Sequence, residues 1–237
     1  MSDYQDIQPQ FDKLKKYTIY GERCSGTNYL ENIMDLNFDV KVTWDYGWKH
    51  FFGFQDDKLK DSDDTLFMCI VRNPFEWINS FYRELHHLPL LYKEDLSEEE
   101  KKDEFLNKEF WSIHDDKEEH MEDRNIYTGD RYKNIFELRH TKIKWMIEDL
   151  PNKVKNYIFI KYEDLVNDFD NILLQIKDKG LDVKQNINFP VNTSAYKNTE
   201  QEYVKPKYDK ISLATIFNHP DLILFYEEKL NYINLYN

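Results

Sequence analysis

The sequence predicts an α/β fold, a three-layer sandwich with a central parallel β-sheet flanked by helices. Three observations carry this expectation. Thr65–Val71 (TLFMCIV) is an unbroken apolar run between an Asp-rich stretch and Arg72-Asn73-Pro74, the pattern of a strand covered on both faces. Shorter β-branched and aromatic runs stand at 17–21 (YTIYG) and 157–161 (YIFIK), each followed by helical spacing. Strands that alternate with helices are joined by crossovers, which makes the sheet parallel. The 237 residues suffice for one large domain over 1–237, with a charged insertion near 91–131.

Taken in order, the strand at 17–21 runs into ERCSGTN and then a helix in which Leu30, Ile33, Met34 and Asn37 share a face. A second strand is expected at 39–44 (DVKVTW), followed by a turn-like stretch at 45–53. After the buried strand, Asn73 suits a helix cap and Pro74 the first helical position. The helix that follows carries Phe75, Ile78, Phe81, Tyr82 and Leu85. From 91 to 130 the chain is charged and irregular, with Ser97 as the cap of a solvated helix in a surface insertion. A helical pattern resumes over 132–150 and ends at Pro151; another follows the 157–161 strand as far as Gly180. Two short helices broken near Pro220 are expected over 212–237.

Composition narrows the function. A net charge of −13 argues against general nucleic-acid binding, which needs a basic surface, and disfavours a long polyanionic acceptor, while leaving room for one basic pocket. No stretch reaches the roughly 18 apolar residues of a membrane span. Residues 1–16 are polar with no apolar core of a signal peptide, and Cys24 and Cys69 make no disulfide framework. The expectation is a cytoplasmic protein without membrane or nucleic-acid partners.

Two segments carry chemistry. Gly21-Glu22-Arg23-Cys24-Ser25-Gly26-Thr27-Asn28 lies between a strand and a helix, where backbone N–H groups and a helix N-terminus face an anion. This makes the predicted sandwich P-loop nucleotide-hydrolase-like. A Walker loop needs Lys after its second glycine, and here Thr27 follows Gly26, which disfavours an ordinary ATPase or kinase. The second segment starts at Arg72, at the carboxyl end of the buried strand where ligands of open α/β sheets bind, with Ser80 two helical turns on. Arg72 offers bidentate contacts to phosphate, although alone it reads equally as a surface side chain at a strand end.

Together these segments resemble the sulfotransferase family that uses 3′-phosphoadenosine-5′-phosphosulfate. Cys24-Ser25-Gly26-Thr27-Asn28-Tyr29-Leu30 is similar to the family's KSGTTWL, Arg72, Pro74 and Ser80 to its RxPxxxxxS, and Tyr162-Glu163-Asp164-Leu165 to its YEDL. Trp48-Lys49-His50-Phe51 stands where the family has its K-[ST]-H-L-P stretch, with His50 22 residues before Arg72. The resemblance runs in order from residue 17 to about 197. It implies that Ser25, Gly26, Thr27 and Asn28, with Arg23 and Cys24 beside them, hold the 5′-phosphosulfate. It further implies that Tyr29 and Tyr162 contact adenine, and that Arg72 and Ser80 bind the 3′-phosphate. Thr193, Ser194 and Lys197 are similar to a late cofactor-contact segment; the family's Arg-Lys-Gly clamp has no counterpart.

The reaction implied is in-line transfer of a sulfuryl group to an acceptor hydroxyl or amine, with 3′-phosphoadenosine-5′-phosphate as product and no metal. His50 is the candidate general base, an imidazole near its ordinary pKa being suited to that task. The departing oxygen needs a cation, and the family's Lys is replaced by Cys24, leaving Arg23 or Lys49 to serve, with Arg23 favoured because the glycine-rich loop would aim it at the phosphates. Trp44, Tyr46 and Trp48 offer a wall for a small-molecule or carbohydrate acceptor. His86 and His87 read as exposed or end-capping, and His114 and His120 lack metal spacing. A P-loop kinase-like phosphotransferase and a non-catalytic adenine-nucleotide-binding module are the alternatives.

Overall fold

The computed structural model describes residues 14–185, 187 and 210–233. Four strands, β1 (Lys16–Tyr20), β2 (Lys41–Val42), β3 (Thr65–Val71) and β4 (Tyr157–Lys161), form one sheet in the order β2-β1-β3-β4. Every pairing is parallel, with Ile19 opposite Met68 and Met68 opposite Ile158.

All seven residues of β3 are buried, and the strand period of two divides them between two helical layers. Leu66, Met68 and Ile70 join one core with α1 (Thr27–Asn37), the short α6 (Tyr162–Asn167) and α7 (Phe169–Lys177). Phe67, Cys69 and Val71 face the other, made by α5 (Ile135–Lys144), Trp145 and Met146 beyond it, and Tyr226 of α9 (Leu224–Lys229). This is the expected sandwich. A third core joins α3 (Pro74–Arg83) and α4 (Glu98–Asn107) to α5 and α8 (Leu213–Phe217), through Trp77, Phe81, Phe105, Phe136 and Ile216. One short helix, α2 (Asp56–Leu59), precedes β3.

The local signals hold at the helix starts. Asn73 Oδ1 accepts from the Glu76 amide at 2.9 Å with Pro74 in the first turn, and Ser97 and Glu100 close a reciprocal capping box on α4. The structure departs from expectation where local pattern competes with packing. The strand expected at 39–44 shrinks to two paired residues, because β2 is an edge strand bonded, among the described residues, to β1 alone. The 132–150 helix begins at Ile135, where Asn134 caps two amides, and ends in a π-helical turn over Trp145–Asp149. The helix expected up to Gly180 is split at Asp168 into α6 and α7. Among the described residues no helix is long and apolar enough to cross a membrane.

Candidate functional site

The carboxyl ends of β1, β3 and β4 lie side by side, and the loops leaving them meet over one cavity of about 200 Å³. Gly26 starts α1 in the left-handed region, φ 98°, and contributes no side chain to cap the helix N-terminus. A Cβ on Gly26 would collide with the Tyr162 ring, and one on Gly21 would lie 2.6 Å from the Ile70 carbonyl. Both glycines therefore serve close approach: the β1–α1 loop is pressed against β3 and against the residue that opens α6. Ser25 Oγ donates to the Glu22 carbonyl at 2.5 Å, which tightens the loop from inside.

Three links tie this loop to the β3–α3 segment. Arg72 Nη1 donates to the Cys24 carbonyl at 3.4 Å, Trp77 Nε1 donates to the Arg23 carbonyl at 2.8 Å, and the Cys24 thiol pairs with the Ser80 hydroxyl. Burial pushes that thiol up to about 11, so it stays protonated at neutral pH. Arg72 is 5% exposed; its Nε and Nη2 donate to Glu76 at 3.3 and 2.9 Å, and its guanidinium lies 4.7 Å from the Tyr162 ring centre. Tyr29 and Tyr162 meet edge to face at 6.2 Å. Every described candidate from the sequence lines the cavity except Ser25 and Lys49. Thr193, Ser194 and Lys197 lie outside the described residues.

His50 is half-buried on the cavity lining, with Nδ1 2.7 Å from the Gly21 carbonyl. A carbonyl only accepts, so the proton sits on Nδ1 and the Nε2 lone pair is left for other work. Desolvation lowers the His50 pKa to about 3, against the attraction of nearby Glu22. The imidazole is thus neutral at physiological pH, well below the ordinary value that the sequence suggested.

No family model matches the chain, and no curated protein matches it. Among solved structures, the crystal structure of mouse sulfotransferase SULT7A1 complexed with PAP is similar to it with a TM-score of 0.39 and 16% identity. The likeness covers 72% of this chain and 61% of that one, so the chain spans less than two thirds of that structure's length.

The cations distribute differently from the expectation. The Arg23 guanidinium is not turned toward an anion in the cavity: it is 2% exposed and donates to Glu22 at 2.6 Å, Asp123 at 2.6 Å and Ser112 at 2.5 Å. The rings of Phe51, Phe81 and Phe110 surround it. Two buried carboxylates outcompete the loop for it, and they raise its pKa further. Lys49 is also buried; its Nζ donates to Asn28 Oδ1 at 2.5 Å, lies 3.4 Å from Glu31 Oε2, and faces both Trp44 and Trp48. It therefore stands beside the first turn of α1.

Sequence reasoning missed the layer beneath these residues. Lys142 Nζ donates to Glu22 at 2.5 Å, Asp123 at 2.6 Å and the His50 carbonyl at 2.7 Å, completing a buried network of two cations and two carboxylates. Arg23 and Asp123 are 100 residues apart, Glu22 and Lys142 are 120 apart, and no local pattern announces either pair. The 91–131 segment is thus more than a surface insertion, since it supplies fully buried Ser112 and Asp123. His86 and His87 follow the end of α3, His87 exposed as expected, and both line the cavity. His114 and His120 stack at 3.7 Å, and His120 lies on Phe51 at 3.9 Å. Of the aromatic wall, Trp48 is exposed, whereas Tyr46 is buried against Phe67 in the core under the sheet. Among the described residues no group of three or more His, Cys, Asp or Glu side chains is arranged to hold a metal ion.

Proposed function

We propose that this chain binds 3′-phosphoadenosine-5′-phosphosulfate in the cavity at the sheet's carboxyl edge and transfers its sulfuryl group to an acceptor hydroxyl or amine. The observation that carries the reading is the meeting, in one cavity, of the α1 N-terminus at Gly26, the Arg72 and Ser80 pair, and His50 held through Nδ1 on the Gly21 carbonyl. The residues suit such a donor: a helix N-terminus at Gly26 that no side chain caps, and a guanidinium and hydroxyl able to hold a second phosphate.

In this reading the donor supplies an activated sulfuryl group, and the chain supplies position and charge. The N–H groups at the start of α1, with Thr27 and Asn28, hold the 5′ end. Tyr29 and Tyr162 flank the adenine, and Arg72 and Ser80 hold the 3′-phosphate. His50 takes the acceptor's proton on Nε2, its Nδ1–H fixed on Gly21. For the leaving oxygen the cation proposed is Lys49, whose Nζ acts from the first turn of α1 through Asn28, whereas the Arg23 guanidinium is tied between Glu22, Asp123 and Ser112. The acceptor is a small molecule or carbohydrate, and the setting proposed is the cytoplasm.

A second reading, nucleotide binding without transfer, is favoured by the neutral Cys24 thiol that stands where the resemblance implies a cation. Two measurements separate the readings. Adenosine 3′,5′-bisphosphate should raise the melting temperature more than ATP with Mg²⁺; stabilisation by ATP with Mg²⁺ alone would sink the sulfotransferase reading. Radiolabelled sulfate transfer across an acceptor panel should detect a product that His50→Ala loses by 10²-fold or more, roughly the share of a general base. Binding without transfer to any acceptor would leave the second reading.

A further inference from the structure

We infer that Glu163, Tyr232, Arg139 and Glu227 form a brace that positions Arg72 and so sets recognition of the nucleotide's 3′-phosphate, an inference that rests on the nucleotide reading proposed above.

The brace is built on backbone rather than on the guanidinium itself. Glu163 Oε1 accepts from the Asn73 amide at 2.9 Å and from Asn73 Nδ2 at 2.7 Å. The Tyr232 hydroxyl donates to Glu163 Oε2 at 2.9 Å and lies 3.4 Å from the Val71 carbonyl. From the other side Arg139 Nη2 donates to the Arg72 carbonyl at 3.0 Å, while its guanidinium pairs with Glu227 of α9 at 2.6 and 2.9 Å. Three consecutive residues, 71 to 73, are thus gripped on their backbone groups, and the central one is the arginine that lines the cavity. Glu227 and Tyr232 come from the last described stretch of the chain, and both are almost fully buried.

The grip reaches the cavity by two routes. Asn73 caps α3, the helix that carries Glu76, which holds Arg72, and Ser80. Glu163 follows Tyr162, whose ring lies against the Arg72 guanidinium. A group that must meet a phosphate through fixed N–H directions is sensitive to small displacements of its backbone. Buried ion pairs alone argue little, since burial costs roughly what attraction returns. Their convergence on residues 71 to 73 is what argues for positioning.

The experiment is calorimetric titration of the full-length protein, Tyr232→Phe and Glu163→Gln with adenosine 3′,5′-bisphosphate and with adenosine 5′-monophosphate. The wild type should prefer the bisphosphate by about tenfold or more, the share of a charge-assisted contact. Each variant should lose about three- to tenfold of bisphosphate affinity and keep monophosphate affinity within about twofold, as for one hydrogen bond removed from a support. Tyr232→Phe removes only a hydroxyl, so it tests the idea if Glu163→Gln fails to fold. An unchanged preference in a folded variant overturns the brace, as does a parallel loss for both ligands, which a merely structural role would give. A wild type without preference for the bisphosphate overturns the nucleotide reading itself, before any variant is compared.

Discussion

Gly26 shows how one residue is asked for two things at once. Its φ of 98° disfavours any L side chain, and the Tyr162 ring occupies the space a Cβ would need. Gly180 has nearly the same backbone, φ 97°, with nothing within 4 Å of its would-be Cβ. Gly180→Ala should therefore cost only left-handed strain, about 1–2 kcal/mol. Gly26→Ala adds a packing clash and should cost about 2–5 kcal/mol, with loss of the proposed nucleotide binding as Tyr162 is displaced. Urea unfolding of the two variants checks this, and equal losses would show that close approach to Tyr162 is not the constraint. The need for glycine at 21 and 26 was legible in the sequence as a tight loop before a helix. The direction of the Arg23 side chain was not, because its partners Ser112 and Asp123 come from the distant 91–131 segment.

At the scale of elements, the same segment divides into parts that local sequence does and does not foretell. The start of α4 was readable, because Ser97 and Glu100 cap it through neighbours three residues apart, and so was the Asn73-Pro74 start of α3. Ser112 and Asp123 carry no such local signal, yet they are the segment's fully buried polar side chains. Asp123 faces both Arg23 and Lys142, and those two cations hold its carboxyl well below the usual carboxylate range despite burial. Asp123→Asn leaves Glu22 as the remaining carboxylate of the network and should destabilise the protein by about 3–5 kcal/mol. Ser97→Ala, which removes an exposed cap, should cost about 1 kcal/mol. If chemical denaturation finds the two equal, the network is not the keystone between the 91–131 segment and the β1–α1 loop. Because Lys142 also donates to the His50 carbonyl, the Asp123 variant should disturb the candidate base as well.

For the molecule as a whole, the sheet was the most legible feature, since β3 reads as doubly covered from its seven apolar residues and its neighbours alternate with helices. The buried charges were the least legible, and they govern how stability depends on pH. His50 is held down to about 3 and His120 to about 4, both by desolvation, while Glu22 and Asp123 are held below their ordinary values by Arg23 and Lys142. In every case the unfolded chain takes up the proton at a higher pH than the folded one. Stability contributed by these groups is therefore complete above the unfolded values and falls as pH falls. The histidines act first, below about pH 6.5, and the carboxylates join below about pH 4.5. Unfolding free energy measured by urea at pH 7.5, 6.5 and 5.5 in constant salt should thus decline, with pH kept above the isoelectric point near 5.0. His50→Asn, whose amide can still donate to Gly21, should flatten the decline by up to about 1.4 kcal/mol per pH unit below 6.5, one proton's share. His219, beside Asn107, gives the control: partial burial and then Lys133 lower it, with Asp221 opposing them, so His219→Asn should flatten the curve less. Equal slopes in all three proteins would mean that His50 gains its proton as freely when folded as when unfolded. The neutral imidazole that the proposed transfer requires would then not be secured by the fold.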